Sequence, residues 1–280
     1  MNPGVDGRPL IPAWVMERKG AVRTSEVSAE VRALLDGGWI ETRNLSEWLV
    51  VDQGKLAGSV FPELGLGDRV QQVRAALDAL EVSTAPRRFA AVGRVLAEGW
   101  GGIEAKRRAF DALAGHGSDV VRSWACFLVG MSAGMSLREK LGWMRGLAAD
   151  PNSSVRETAW LAMREPLADE LESGIRWLRP WSKDPDANVR RFASELTRPR
   201  GVWCRHIPEL KEQPELGLPI LEPLRSDASK YVRDSVANWL NDASKSRPDW
   251  VRSVCDRWRR ESGTRETEQL VKRALRTVGA

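Results

Sequence analysis

Apolar residues recur at intervals of three and four through most of the chain, and no stretch sustains an apolar–polar alternation. The pattern predicts helices and essentially no sheet. Leu137, Leu141, Met144 and Leu147 keep helical spacing, and Ser136 with Glu139 opens their helix as a capping box. Asp150-Pro151-Asn152 breaks it. A partner helix starts with Ser154 and Glu157 as its cap and runs to Arg164, stopping ahead of Pro166. The scheme then repeats. Leu171, Ile175 and Leu178 mark one helix, and a second runs from about Ala187 to Arg198, where Pro199 ends it. Pro219 and Pro248 suit first-turn positions of later helices.

The helix pairs are copies of one unit. Val-Arg recurs at Val121-Arg122, Val155-Arg156, Val189-Arg190 and Val232-Arg233, with Val271-Lys272 a weaker fifth copy, at steps of 34, 34, 43 and 39 residues. Four residues after each of the first four valines stands Ala125, Ala159, Ala193 or Val236, on the same helix face. An Asp-led turn precedes three copies, at Asp150, Asp184 and Asp227. This combination resembles HEAT repeats, which implies an all-α, HEAT-like α-solenoid of antiparallel helix pairs. Its Val-Arg arginines would then bond between neighbouring units rather than to a ligand, because every unit of such an array needs an interface. The expected organisation is a repeat domain over residues 66–280. Residues 1–65 would form an N-terminal cap with weaker helical patterns (Val27, Val31, Leu34, Leu35), behind a loose Gly- and Pro-rich start.

One column of the repeat breaks its own rule. Two residues beyond the Ala column the first two copies carry Phe127 and Leu161, but the next two carry Glu195 and Asn238. Asp242 lies one turn past Asn238 on the same face. A carboxylate or amide in place of a packed apolar residue needs a partner or an open cleft. Glu195 could pair with Arg191 or Arg198; equally, it could serve a site.

Charge adds direction to this. Net charge is +5, and residues 198–280 hold all of the excess, with 17 Lys and Arg against 12 Asp and Glu. A basic C-terminal third suits a polyanion, since Lys and Arg displace counterions from phosphate. Two histidines, His116 and His206, leave no material for a His-rich metal cluster and little for a Ser–His or Cys–His nucleophile. No metal or cofactor is therefore expected. The three cysteines (Cys126, Cys204, Cys255) show no paired spacing, no apolar run is long enough to cross a membrane, and no signal peptide opens the chain. A cytoplasmic monomer is the expectation. Thirteen tryptophans against one tyrosine is unusual, and indoles can pack, stack on bases or face a cation.

Two segments carry a family resemblance. Residues 189–200 contain Ser194-Glu195-Leu196-Thr197-Arg198-Pro199-Arg200, and residues 231–242 contain Val236-Ala237-Asn238-Trp239-Leu240-Asn241-Asp242. With Lys245, Arg247-Pro248-Asp249 and Arg273-Ala274-Leu275-Arg276-Thr277, they resemble the bacterial DNA alkylation repair glycosylases of the AlkC/AlkD type, nearer the AlkC branch. The likeness is strong from about Asp150 onward. It implies excision of N3- and N7-alkylated purines from double-stranded DNA by hydrolysis of the N-glycosidic bond. It also implies that Glu195 and Asp242 are the acids of the site. Trp203 and Trp239 are the indoles nearest them in sequence, with Trp160 one repeat back, and Asn238 shares the helix face of Asp242. On charge, Arg198, Arg200, Lys230 and Lys245 are expected to border one concave groove that takes DNA phosphate. One departure stands out. The AlkC branch has a further glutamate one repeat before Glu195, where this chain has Trp160-Leu161. A HEAT-repeat protein that binds DNA without excising a base, or a protein-binding scaffold, are the alternative expectations.

Overall fold

The structure, a computed structural model, describes residues 9–279. The described residues form α-helices and short 3₁₀ turns with no strand element, as the pattern predicts. They fall into two compact units. The first holds residues up to Gly134 together with Asn152–Ala162; the second holds Met135–Pro151 and everything from Met163.

In the first unit, helices Ala85–Ala97 and Ser153–Ala162 pack against the central helix Asp119–Met131. Two glycines set these approaches. A Cβ on Gly93 would lie 2.2 Å from Cβ of Phe127, and one on Gly130 would lie 2.2 Å from the Ala162 carbonyl oxygen. Neither crossing tolerates a side chain there without moving backbone. Val27, Val31, Leu34 and Leu35 are all buried in this unit. In the second unit, helix Lys230–Ser244 lies between Ala187–Leu196 and Arg265–Ala274.

The repeat reading holds in detail. Val121, Val155, Val189 and Val232 are each the third residue of a helix and each fully buried. The arginine after them has a recurrent job. Arg122, Arg190 and Arg233 each donate from Nη1 to two carbonyls of the preceding turn, at His116 and Gly117, Asp184 and Pro185, and Asp227 and Ala228. Arg190 also holds Asp227 of the next turn through Nε and Nη2, at 2.6 and 2.9 Å. These arginines are structural. Each satisfies carbonyls that the turn leaves without a helical partner.

Helix ends differ from expectation in two places. Ser136 and Glu139 do form the capping box. The next helix begins at Ser153, however, and the acceptor for its early amide is Asn152 Oδ1, which takes Ser154 N–H at 2.9 Å. Glu157 accepts the indole N–H of Trp160 at 2.7 Å. Pro166 does not stop the chain's helicity. It sits inside the short helix Arg164–Asp169, within the first turn, where its missing N–H is no loss. Pro248 opens its helix and Pro219 is second in Leu218–Leu221, as expected.

Candidate functional site

Glu195 lies at the end of helix Ala187–Leu196 and Asp242 near the end of Lys230–Ser244, on neighbouring copies of the repeat. Both are 4% exposed. Arg198 joins them. Its Nη1 donates to Glu195 Oε1 at 2.6 Å, and its Nε and Nη2 reach Asp242 Oδ2 at 2.9 and 2.8 Å. Glu195 Oε2 accepts from Ser235 Oγ at 2.7 Å and lies 3.5 Å from Arg191. Lys245 Nζ is 3.7 Å from Asp242 Oδ1, too far for a good hydrogen bond, and among the described residues Oδ1 accepts no other.

The two acids therefore differ. Burial pushes Glu195 up, but Arg191, Arg198 and the Ser235 hydroxyl outweigh it and hold the carboxyl below its usual range. For Asp242 burial wins over Arg198 and Lys245, and its pKa is raised. Glu195 is held as an anion by its arginines, while burial shifts Asp242 the other way.

The loop leaving helix Ala187–Leu196 is pinned from beneath. Arg164, 1% exposed, donates Nε to Arg205 O at 2.9 Å, Nη1 to Leu196 O at 2.6 Å and Nη2 to Arg198 O. Residues 197–205 are thus strung across one buried guanidinium. At the crest of this loop, Trp203 is 59% exposed and has φ of 60°, the only non-glycine residue with positive φ among those described. A bulky residue held in that region is a strained outlier, of a kind that clusters at working sites.

The other expected residues separate into groups. Arg200 joins the acids, with Nε donating to the backbone oxygen of Asp242 at 3.2 Å and Nη2 to Ser246 Oγ. Lys230 does not. It pairs with Asp234 at 2.6 Å, twelve residues from Asp242 on the same helix, roughly 18 Å away at 1.5 Å per residue. Of the three indoles, only Trp203 presents its ring to solvent. Trp239 is fully buried, donates to Thr197 O at 2.8 Å and packs against Trp250, so it is a core residue. Trp160 is 6% exposed and belongs to the first unit, with Glu157 as its partner. Asn238 is half-buried, and its Oδ1 accepts from Arg276 at 3.1 Å and Arg273 at 3.5 Å. Ser235, Arg164, Arg273 and Arg276 are contributors that no periodicity singles out; Ser235 and the two C-terminal arginines stand inside the segments that carry the resemblance. Among the described residues no group of His, Cys, Asp and Glu could hold a metal ion.

Comparison with known proteins bears on this site. Residues 158–276 match the family described as DNA alkylation repair enzyme. The YhaZ protein of Bacillus subtilis (strain 168) is 42% identical over 137 residues, which is 49% of this chain and 38% of that protein. Among solved structures, Pseudomonas fluorescens alkylpurine DNA glycosylase AlkC, bound to DNA containing an abasic site analogue, aligns with a TM-score of 0.65. It is 24% identical, over 92% of this chain and 65% of that one. AlkD2 from Streptococcus mutans aligns with a TM-score of 0.60 at 25% identity, over 75% of this chain and 99% of that one. This chain thus spans less than two thirds of YhaZ and of AlkC. Its fold is that of the AlkC and AlkD2 helical repeats, and the stretch that matches the DNA alkylation repair enzyme family, residues 158–276, holds both acids and the loop between them.

Proposed function

We propose that the protein is a monofunctional DNA glycosylase that recognises N3- and N7-alkylated purines in duplex DNA and hydrolyses the N-glycosidic bond. An alkylated purine is already cationic, so it leaves with little acid assistance. What remains is positive charge on the sugar and a water to be placed. Glu195, held ionised by its arginines, supplies negative charge against an oxocarbenium-like sugar. Asp242 receives the water through Oδ1 and takes its proton as oxygen bonds to C1′. The bond from C1′ to the purine nitrogen breaks, its electron pair neutralises the base, and the alkylpurine departs. Trp203, exposed on the loop between the two acids, can face the cationic base. The single observation carrying this reading is that Arg198 holds only Oδ2 of Asp242, so that among the described residues Oδ1 accepts no close hydrogen bond.

A non-catalytic DNA-binding role is the second reading, and two observations favour it. Arg198 already ties down an oxygen of each acid, and Trp160-Leu161 stands where the AlkC branch has a further glutamate. One experiment decides between them: incubating the purified protein with methylated duplex DNA and identifying released bases. Free 3-methyladenine or 7-methylguanine supports the glycosylase. Retention on the DNA with no released purine leaves the binding role.

A further inference from the structure

The N-terminal edge of the first unit breaks a rule that repeat arrays keep. A terminal unit has no neighbour on its outer side, so that side is expected to be polar. Among the described residues ten large apolar side chains stand well exposed, and five of them, Leu10, Trp14, Met16, Val22 and Leu45, fall within the first 45 positions. Three of the five meet along one seam, where the segment leaving helix Ala13–Glu17 lies against the start of helix Leu45–Val50. Arg43 Nη2 donates to Met16 O, Asn44 Nδ2 to Ala21 O at 2.8 Å and Ser46 Oγ to Val22 O at 2.8 Å. Gly20 permits the contact. Its φ is 81°, and a Cβ there would lie 2.6 Å from Asn44 Nδ2. A seam bonded at three points presents its side chains in a fixed arrangement, and Val22 is 84% exposed with Met16 and Leu45 half-exposed. Apolar surface held open in this way marks an interaction site.

The seam also carries charge. Lys19, Arg23 and Arg43 are all exposed, and none of them makes an ion pair among the described residues. Two exposed carboxylates stand beside them, Glu17 and Glu26, and Glu26 Oε2 already accepts the Arg23 N–H at 3.2 Å. An occupant must therefore answer both an apolar strip and a surplus of cations. A nucleic acid answers only the second, because Met16, Val22 and Leu45 are aliphatic and offer no flat face for a base to stack on. A second copy docking by the same face would set these cations against themselves. A peptide that mixes carboxylates with apolar side chains answers both.

We propose that this seam docks an acidic peptide segment of a protein partner, one with aliphatic or aromatic side chains set among its carboxylates. The apolar side chains of the segment cover Met16, Val22 and Leu45, and its carboxylates pair with Lys19, Arg23 and Arg43. The site uses neither Glu195 nor Asp242, and it stands or falls independently of the glycosylase reading.

The test measures fluorescence anisotropy of a labelled synthetic peptide, Asp alternating with Leu and Phe, on the full chain at low and at physiological salt. A counterpart peptide carries Asn for every Asp, and Tm is recorded for each variant. The acidic peptide should bind on the order of 10-fold more tightly than its counterpart at low salt, with the margin narrowing as salt rises. Val22→Ser and Leu45→Ser should each weaken binding on the order of 10-fold at unchanged Tm, since both side chains are covered only in the complex. Arg23→Glu should weaken it as much at low salt and less at physiological salt. Ile103→Ser, an exposed apolar position elsewhere in the same unit, should change nothing. Equal affinity for the two peptides, wild-type binding in Val22→Ser and Leu45→Ser, or no binding of the acidic peptide overturns the proposal. The same variant losses seen instead with a single-stranded oligonucleotide, with anionic phospholipid vesicles, or in a dimer detected by sedimentation give the seam to that occupant and overturn it too.

Discussion

Arg198 grips a single oxygen of Asp242, its Nε and Nη2 both on Oδ2 at 2.9 and 2.8 Å, and among the described residues leaves Oδ1 with only the distant ammonium of Lys245. Under the proposed function, that asymmetry would divide the labour between two acids that composition treats as equivalent. A carboxylate with one oxygen anchored is oriented, and its other oxygen is available to a water.

The first prediction follows for Asp242. Asp242→Asn keeps the shape and Oδ1 but removes the basic group, so excision should fall on the order of 10²-fold. Duplex affinity should change much less, because phosphate contacts dominate it. The pH dependence has a definite sign. A general base works ionised, and the Asp242 pKa is raised, so under the proposed function the acid limb of the rate profile should lie above the ordinary aspartate range and vanish in the variant. A single-turnover profile in which wild type and variant share that limb would assign it elsewhere.

The loop should depend on Arg164. Replacing it by Met leaves three backbone carbonyls (Leu196, Arg198, Arg205) without their donor. Each unmet buried acceptor costs about 1–3 kcal/mol, so a loss of roughly 3 kcal/mol or more in urea unfolding is expected. Arg164→Lys should recover part of that stability but not the excision rate, since one ammonium cannot span three carbonyls in a plane. Full activity in the lysine variant would show that the loop needs only a charge there.

Asp119 offers a test of stability in the first unit. Its carboxylate accepts Thr42 N–H at 2.9 Å and Thr42 Oγ1–H at 2.5 Å, yet burial dominates and pushes its pKa to about 6. The folded form holds the proton more tightly than the unfolded chain does. Its stabilising contribution is therefore complete below about 3.8 and lost as pH rises through about 6. A shift of this size corresponds to on the order of 3 kcal/mol. Measured against Asp119→Asn, which does not titrate there, wild-type unfolding free energy should fall by that amount across the window. A difference independent of pH would place the carboxyl near its ordinary range.

Much of this was legible in the residues, for identifiable reasons. Helix pairing shows because Val121, Val155, Val189 and Val232 must all be buried at one register, which forces the same letters to recur. Glu195 and Asn238 show because a repeat can be compared with itself. Other features have no local signature. Trp239 and Trp203 are both indoles near the acids, but one has its N–H on Thr197 in the core and the other stands on a strained loop. Asn238 meets Arg276 across 38 residues, so nothing in its own neighbourhood marks the pairing. Ser154 and Glu157 spell a capping box in the residues alone, while in three dimensions Asn152 Oδ1 takes the Ser154 N–H and Glu157 also accepts the Trp160 indole, a partner no spacing rule announces.

Glu195 gives the sharpest separation of chemistry from structure. If its charge stabilises a cationic sugar, Glu195→Gln should lose on the order of 10²-fold or more in excision, with duplex affinity nearly kept. Both its oxygens, however, also hold the fold, through Arg198, Arg191 and Ser235. The glutamine retains an acceptor toward one of these partners but turns an N–H toward the other, leaving a buried charge–dipole mismatch. Some fall in Tm is therefore expected for any role. The discriminating measurement is the rate at a temperature where the variant is fully folded, beside Ser235→Ala, which removes one hydrogen bond to Oε2 and leaves the carboxylate charged. Under the catalytic reading Ser235→Ala keeps most of the excision while Glu195→Gln does not, even at equal Tm. Parallel loss of rate and stability in both variants would make Glu195 an anchor for its arginines and nothing more.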